Sequence, residues 1–185
     1  SGIRTSKTVN GTTTYFNTRD GVILSQTDGT DTLYFQYDDS GVPFGFIHNG
    51  IQYYYLVNQL GDIVSITDSQ GFEVIEYEYN EWGEIGLITP MTDDQASALA
   101  LGNLNPLRYR GYYYDNETGY YYLQSRYYDP SICRFINSDI PEIAQLQKGI
   151  PSGINSFAYC CDEPLNNVDY DGKFGTPIQW ACANR

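Results

Sequence analysis

The sequence predicts a mainly β chain, built of hairpins in a curling sheet and carrying two short helices. Three observations lead there. Nineteen of the 185 residues are tyrosine and eight are phenylalanine, side chains that suit pleated, partly covered surfaces. Glycines at 21, 41, 61 and 83 follow aromatic-containing segments at spacings of 20, 20 and 22 residues, a repeat at the short edge of the solenoid range. From Leu107 to Asp139, tyrosine runs alternate with tight turns.

The repeats occupy residues 1–89. Tyr15-Phe16-Asn17, Tyr37-Asp38, Tyr53-Tyr54-Tyr55 and Tyr79-Asn80 precede the four glycines, and Val22-Ile23-Leu24-Ser25, Val42-Pro43-Phe44-Gly45, Asp62-Ile63-Val64-Ser65 and Glu84-Ile85-Gly86-Leu87 follow them. Turn signals come next at Asp28-Gly29, Asn49-Gly50 and Asp68-Ser69-Gln70-Gly71. Each unit therefore reads strand, glycine turn, strand, turn. Such a unit cannot bury its own apolar face, so successive units must stack or wrap around a shared aromatic seam. His48, beside the Asn49-Gly50 turn, is expected to be an exposed neighbour of that turn.

Residues 90–102 break the β rhythm. Thr92 to Gln95 has capping-box spacing, Asp93 and Asp94 stand in a first turn, and Gly102 follows Ala96 to Leu101 as a stop signal. A short helical connector is predicted. It leads into a unit over 103–173, where Tyr112-Tyr113-Tyr114, the Asp115 to Gly119 loop and Tyr120-Tyr121-Tyr122-Leu123 form a hairpin. Tyr127-Tyr128 ends at Asp129-Pro130, and Arg134-Phe135-Ile136-Asn137 makes one more short strand. Pro141 to Lys148, closed by Gly149, is the second predicted helix, and residues 174–185 are a tail too short to fold alone.

Charge narrows the partners. With 23 acidic residues against 10 Lys plus Arg and a formal net charge of -13, the surface repels phosphate, so nucleic acid and anionic membrane are poor partners. Arg108, Arg110, Arg126 and Arg134 are the nearest thing to a basic patch, or they neutralise acidic neighbours in the sheet. Cys133, Cys160, Cys161 and Cys182 form no C-x-x-C pair and lie far in sequence from the single histidine. Free thiols are expected, and neither a metal nor a cofactor site. The chain starts Ser1-Gly2-Ile3 with no signal peptide or membrane span, and reads as part of something larger. If Tyr112, Tyr114, Tyr121 and Tyr127 face solvent together, a carbohydrate- or receptor-binding surface is the alternative to a scaffold.

The glycine-phased repeats resemble the YD repeats of Rhs proteins. Arg126-Tyr127-Tyr128-Asp129-Pro130, Arg134-Phe135 and Asp139 resemble the Rhs repeat-associated core, and Asn155, Phe157, Tyr159, Pro164, Asn166-Asn167, Asp169 and Gly172 extend the likeness through its closing motif. The resemblance runs from about Ser6 to Lys173. It implies YD-repeat hairpins in a curling, shell-like sheet that encloses a C-terminal toxin or effector, in a larger protein that is secreted or held at the cell surface. Its partners would be the remaining repeats and the cargo.

In members that process themselves, the core resembles an aspartate-dependent autoprotease that frees the segment after an Asp-Pro-x-Gly motif. Carried over, Arg126 would hold the site electrostatically, and Asp139 and Asp169 would be the catalytic carboxylates. Two carboxyls sharing one proton can activate water and protonate the departing amide. Asp129 is a further candidate. Each has a plain alternative: an ion pair for Arg126, turn roles for Asp129 and Asp169, and a helix cap for Asp139 or Ser138. The chain departs from the pattern at Cys133, where glycine is usual and a positive φ would be strained. It departs again at Ile140-Pro141 after Asp139, and at Tyr170, where the closing motif has proline.

Overall fold

The computed structural model describes residues 3–138 and 155–173, together with the backbone of Thr176–Pro177. Its first half is one antiparallel sheet of nine strands hydrogen-bonded in chain order. These are β1 (Ser6–Val9), β2 (Thr12–Arg19), β3 (Val22–Thr27), β4 (Thr32–Tyr37), β5 (Pro43–His48), β6 (Ile51–Val57), β7 (Ile63–Thr67), β8 (Glu73–Tyr79) and β9 (Ile85–Pro90). The sheet does not close on itself, because β1 and β9 are not paired with each other.

Strand alternation selects the core face. In β4, Leu33 and Phe35 are buried while Tyr34 between them is exposed. Register carries the same face across the sheet: Phe35 lies opposite Phe46, Phe46 opposite Tyr53, Tyr55 opposite Ile66, and Ile66 opposite Ile75. The Phe46 ring stacks on Tyr53 at 5.3 Å and on Tyr55 at 5.4 Å, so the shared aromatic seam is present. Each fully buried Leu, Ile or Phe on this face contributes roughly 1.5–3 kcal/mol of transfer free energy.

The turns explain the glycine spacing. In a meander, every second connection falls at the same end of the sheet, and Gly21, Gly41, Gly61 and Gly83 sit in the connections after β2, β4, β6 and β8. One period is therefore two strands and two turns. Three of these connections share a loop with the one after β7. Oδ1 of Asp38, Asn58, Asp68 and Asn80 accepts hydrogen bonds from the backbone N–H groups two and four residues later, at 2.8–3.0 Å. The glycine three residues on takes a positive φ, between 78° and 92°, and closes a bulged type I loop. The Asp or Asn that follows the strand thus builds the turn, and the Tyr37, Val57 and Tyr79 side chains that precede three of them pack against the core.

Helix α1 spans Gln95–Leu104. Asp94 caps it by accepting from Ser97 N, so Thr92 is not the cap. Gly102 is not the stop either. It lies inside the helix, where an added Cβ would stand 2.7 Å from Ile75 Cγ1 and 3.2 Å from Ile88 Cγ2, so glycine here permits close packing on β8 and β9. The helix ends at Asn105, whose extended backbone suits the residue before Pro106.

A second antiparallel sheet follows, with β10 (Tyr113–Asp115), β11 (Tyr120–Leu123), β12 (Arg126–Asp129) and β13 (Arg134–Phe135). Its core is mostly tyrosine, with Tyr109, Tyr112, Tyr121, Tyr128 and Tyr159 buried beside Phe135 and Leu123. β14 (Asn167–Val168) pairs with β15 (Thr176–Pro177). The predicted helix over Pro141 to Lys148 lies outside the described residues. Among those described, Cys133, Cys160 and Cys161 are free thiols, as expected. Cys160 and Cys161 share a turn in which both have positive φ. His48 is only partly exposed, and its Nε2 lies 2.6 Å from Asp31 Oδ1.

Candidate functional site

The tyrosine-rich unit docks on the end of the sheet that carries the phased glycines. Going backward along the chain, Gly111 lies against Pro43 at the start of β5, Arg110 N donates to Asp62 Oδ1 after β6, and the Tyr109 hydroxyl donates to Glu81 O after β8, while the Tyr113 hydroxyl reaches farther along the sheet to Gln26 Oε1 near the other end of β3. Tyr121 and Tyr128 add hydroxyl bonds to Gly83 O and Trp82 O. A cavity of about 140 Å³ remains between the turns and this unit, lined by Gly21, Gly41, Gly61, Tyr37 and Tyr112. None of Arg126, Asp129 and Asp169 lines it.

The segment before β1 is fastened to the same unit. The Arg4 guanidinium lies 4.4–5.5 Å from the ring centres of Phe16, Tyr113, Tyr122 and Tyr127. It donates to Asp115 Oδ1 at 2.9 Å and to the Tyr127 hydroxyl at 2.6 Å. Lys7 also pairs with Asp115, at 2.8 Å.

The arginines read as a surface patch are not one. Arg108, Arg110 and Arg126 are buried, and backbone carbonyls take most of their hydrogen bonds. Arg108 donates to Gly102 O, Asn103 O and Asn105 O, satisfying acceptors left open at the end of α1. Arg110 joins Leu60 O of the repeat turns to Pro164 O of the closing segment, each at 2.6 Å. Arg134 is half-buried and stands 3.7 Å from Asp162.

Arg126 and Asp169 come together. Arg126 Nη2 lies 3.4 Å from Asp169 Oδ2, and the guanidinium covers the Phe135 ring at 3.5 Å. Arg126 Nε donates to Gly172 O and Nη1 to Ser156 O. Asp169 Oδ1 accepts from Gly172 N at 2.8 Å and Lys173 N at 3.1 Å. The Tyr112 hydroxyl donates to Asp169 O at 2.6 Å. Burial pushes the Asp169 carboxyl above its ordinary value, against the opposing pull of Arg126 and the two backbone donors. The turn role foreseen for Asp169 is therefore real, and its other oxygen meets Arg126.

Asp129 lies elsewhere. Alternation on β12 puts it on the opposite side from Arg126, and its Oδ1 accepts from Ser131 N and Ser131 Oγ at 2.9 and 2.6 Å, a turn role. Asp139 lies outside the described residues. Tyr112 and Tyr121 are buried, Tyr114 packs at a tilt against Tyr121 at 4.9 Å, and Tyr127 binds Arg4, so the four tyrosines do not share an exposed face.

Sequence reasoning missed Ser125. The two-residue turn between Leu123 and Arg126 places its Oγ 2.7 Å from Asp171 O and 2.8 Å from Gly172 O. A lone serine in a short turn gives no signal until the fold brings its partner close.

The sequence model of the Teneurin YD-shell family matches residues 21–164. The tRNA nuclease WapA of Bacillus subtilis (strain 168) is 39% identical over 177 residues, 94% of this chain and 7% of that protein. The tRNA3(Ser)-specific nuclease WapA of Bacillus spizizenii is 38% identical over the same shares. Double-stranded DNA deaminase toxin A of Burkholderia cenocepacia is 29% identical over 129 residues, 67% of this chain and 8% of that protein. Among solved structures, the Photorhabdus luminescens Tc holotoxin pore matches with a TM-score of 0.64 at 20% identity, over 92% of this chain and 8% of that one. The chain thus spans less than a tenth of each of these proteins.

Proposed function

Because the chain belongs to the Teneurin YD-shell family, we propose that it is a stretch of wall and the closing core of an Rhs-type toxin shell, curling around a C-terminal cargo that it encloses. The observation that carries this reading is the convergence of the turn row on Tyr109 to Gly111. These residues touch the start of β5 at Pro43, the β6–β7 connection at Asp62 and the β8–β9 connection at Glu81, between three and four strand spacings from first to last. Laid flat, that distance is about 17 Å, whereas two residue steps span at most about 7 Å. The Tyr109 side chain reaches only part of the difference, so bending the row toward this segment supports a curling wall. Relatives named for tRNA cleavage and for DNA deamination share the segment, which supports a common wall over the source of either chemistry. The acidic surface fits a wall without nucleic-acid contact of its own. No helix among the described residues is long and apolar enough to cross a membrane, and the reading places the parent protein outside the producing cell or on its surface.

Protease protection tests enclosure. In a chain extended through its native C-terminus, the cargo should resist a protease that digests the isolated cargo. Arg110→Ala, which unties Leu60 from Pro164, should expose it. Equal digestion of enclosed and isolated cargo would rule the enclosure out.

One observation favours self-cleavage as a second reading. The Gly172 carbonyl, in the bond where the resemblance places the cut, is held by Arg126 beside the buried Asp169 carboxyl, and Asp169 Oδ1 reaches the Lys173 nitrogen. The resemblance assigns Asp139 as the second carboxyl. Intact mass of the extended chain should show a product ending at Gly172 or Lys173, absent from Asp169→Asn and Asp139→Asn. Unchanged processing in those variants would exclude an aspartate mechanism.

A further inference from the structure

We propose that Ser125 is a catalytic hydrogen-bond donor to the Gly172 carbonyl, forming with Arg126 Nε the pair that stabilises the oxyanion when the Gly172–Lys173 bond is hydrolysed. The inference rests on the self-cleavage reading. Ser125 Oγ stands 2.8 Å from Gly172 O and 2.7 Å from Asp171 O. A hydroxyl has one proton, so it cannot donate fully to both. Asp171 O has a further donor in Ser125 N at 3.2 Å, an N–H it shares with Leu123 O at 2.6 Å, so the hydroxyl proton is divided between two carbonyls that each have another donor. As negative charge develops on Gly172 O, the Ser125 proton turns to it, making a bond stronger in the transition state than before it.

The surroundings keep this arrangement fixed. The scissile carbonyl belongs to a glycine with φ +73, where an added Cβ would stand 2.6 Å from Leu123 O and 2.9 Å from Ser125 Oγ. No side chain can separate this carbonyl from its donors. Phe135 covers the Arg126 guanidinium at 3.5 Å and shields it from water.

The step balances with water as co-reactant. Water oxygen bonds to the Gly172 carbonyl carbon and gives one proton to a carboxylate. The tetrahedral oxyanion is held by Arg126 Nε and Ser125 Oγ. The C–N bond then breaks as the Lys173 nitrogen takes a proton from a carboxyl, and Asp169 Oδ1 already stands 3.1 Å from that nitrogen. Collapse of the oxyanion leaves a Gly172 carboxylic acid, whose remaining proton passes to the freed Lys173 amine, so a Gly172 carboxylate and a Lys173 ammonium result.

The test follows the cleaved fraction by intact mass during cell-free synthesis of the chain extended through its native C-terminus. Ser125→Ala should slow cleavage roughly 10²–10³-fold, with a lower plateau but the same shape of pH profile, and Ser125→Thr should recover most of the rate. A loop merely loosened by the substitution would expose Asp169 and move the profile, which would overturn a catalytic role. Cleavage of Ser125→Ala at the wild-type rate overturns the role of Ser125 alone, while an uncut wild type overturns the cleavage reading and this inference with it. If Ser125→Ala fails to fold, Ser125→Cys, of similar shape but a weaker donor, stands in with the same outcomes.

Discussion

Cys133 shows how one residue's backbone carries a family's habit. It sits at φ 59, a left-handed conformation costing a side-chain-bearing residue roughly 1–2 kcal/mol, and its thiol recovers only a 3.6 Å contact with Pro130 O. Cys133→Gly should stabilise the fold by about 0.5–1 kcal/mol, part of the relief being lost to glycine's freedom in the unfolded chain; a urea midpoint that falls would contradict it. Asp169 gives a pH-dependent counterpart. Its folded carboxyl titrates above the ordinary value because it is buried, so the folded state holds the proton more tightly than the unfolded one. Stability from this group is full below the unfolded carboxyl pKa near 4 and is lost as pH rises through the raised folded value. Denaturant titrations across this range should show that loss in wild type and not in Asp169→Asn. Arg126 and Asp169 were legible together only through the resemblance, whose ordered motif pairs residues 43 positions apart in the chain. The carbonyl ligands of Arg108 and Arg110 were not, because backbone acceptors look the same in every sequence.

Among the elements, the turns were the most legible and the helix end the least. An Asp or Asn with glycine three residues later defines its own loop through local bonds, whereas the meaning of Gly102 depends on Ile75, 27 residues away in the chain. Gly102→Ala tests the difference. Helix propensity alone would favour alanine by roughly 1 kcal/mol, but the new Cβ would stand 2.7 Å from a fully buried Ile75. Overpacking of this kind costs roughly 1–3 kcal/mol, so thermal unfolding should show a net loss of about 1 kcal/mol. At the sheet's other end, Asp68→Ala removes the acceptor of Gln70 N and Phe72 N. It should cost about 0.5–1.5 kcal/mol, and Asp68→Asn, like the natural Asn58 and Asn80, should cost little; equal losses would mean that the oxygen is not what holds the loop.

Across the whole molecule, tyrosine makes stability depend on alkaline pH. Burial raises the hydroxyl pKa of Tyr77 and Tyr109 to about 12, and those of Tyr55, Tyr112, Tyr121 and Tyr159 stand well above the ordinary value. Folded phenols stay protonated where unfolded ones ionise, so stability is full below about pH 10 and declines as pH rises beyond it. Tyrosinate absorbance from the buried set should appear together with loss of circular dichroism; ionisation while the fold persists would contradict this. The repeat predicted hairpins but not which of their ends meets the core, because that depends on contacts far apart in sequence. Those contacts set an order in time. The bonds from the core back to the sheet bridge 28 residues at Tyr109 to Glu81, 50 at Arg110 to Leu60, 87 at Tyr113 to Gln26 and 111 at Arg4 to Asp115. Hairpins form locally and early, and loop-closure entropy makes the nearest of the long bonds the first to form and the farthest the last. A ribosome delivers the sheet before its clasp, and Arg4 waits among the emerging strands for Asp115 to be made.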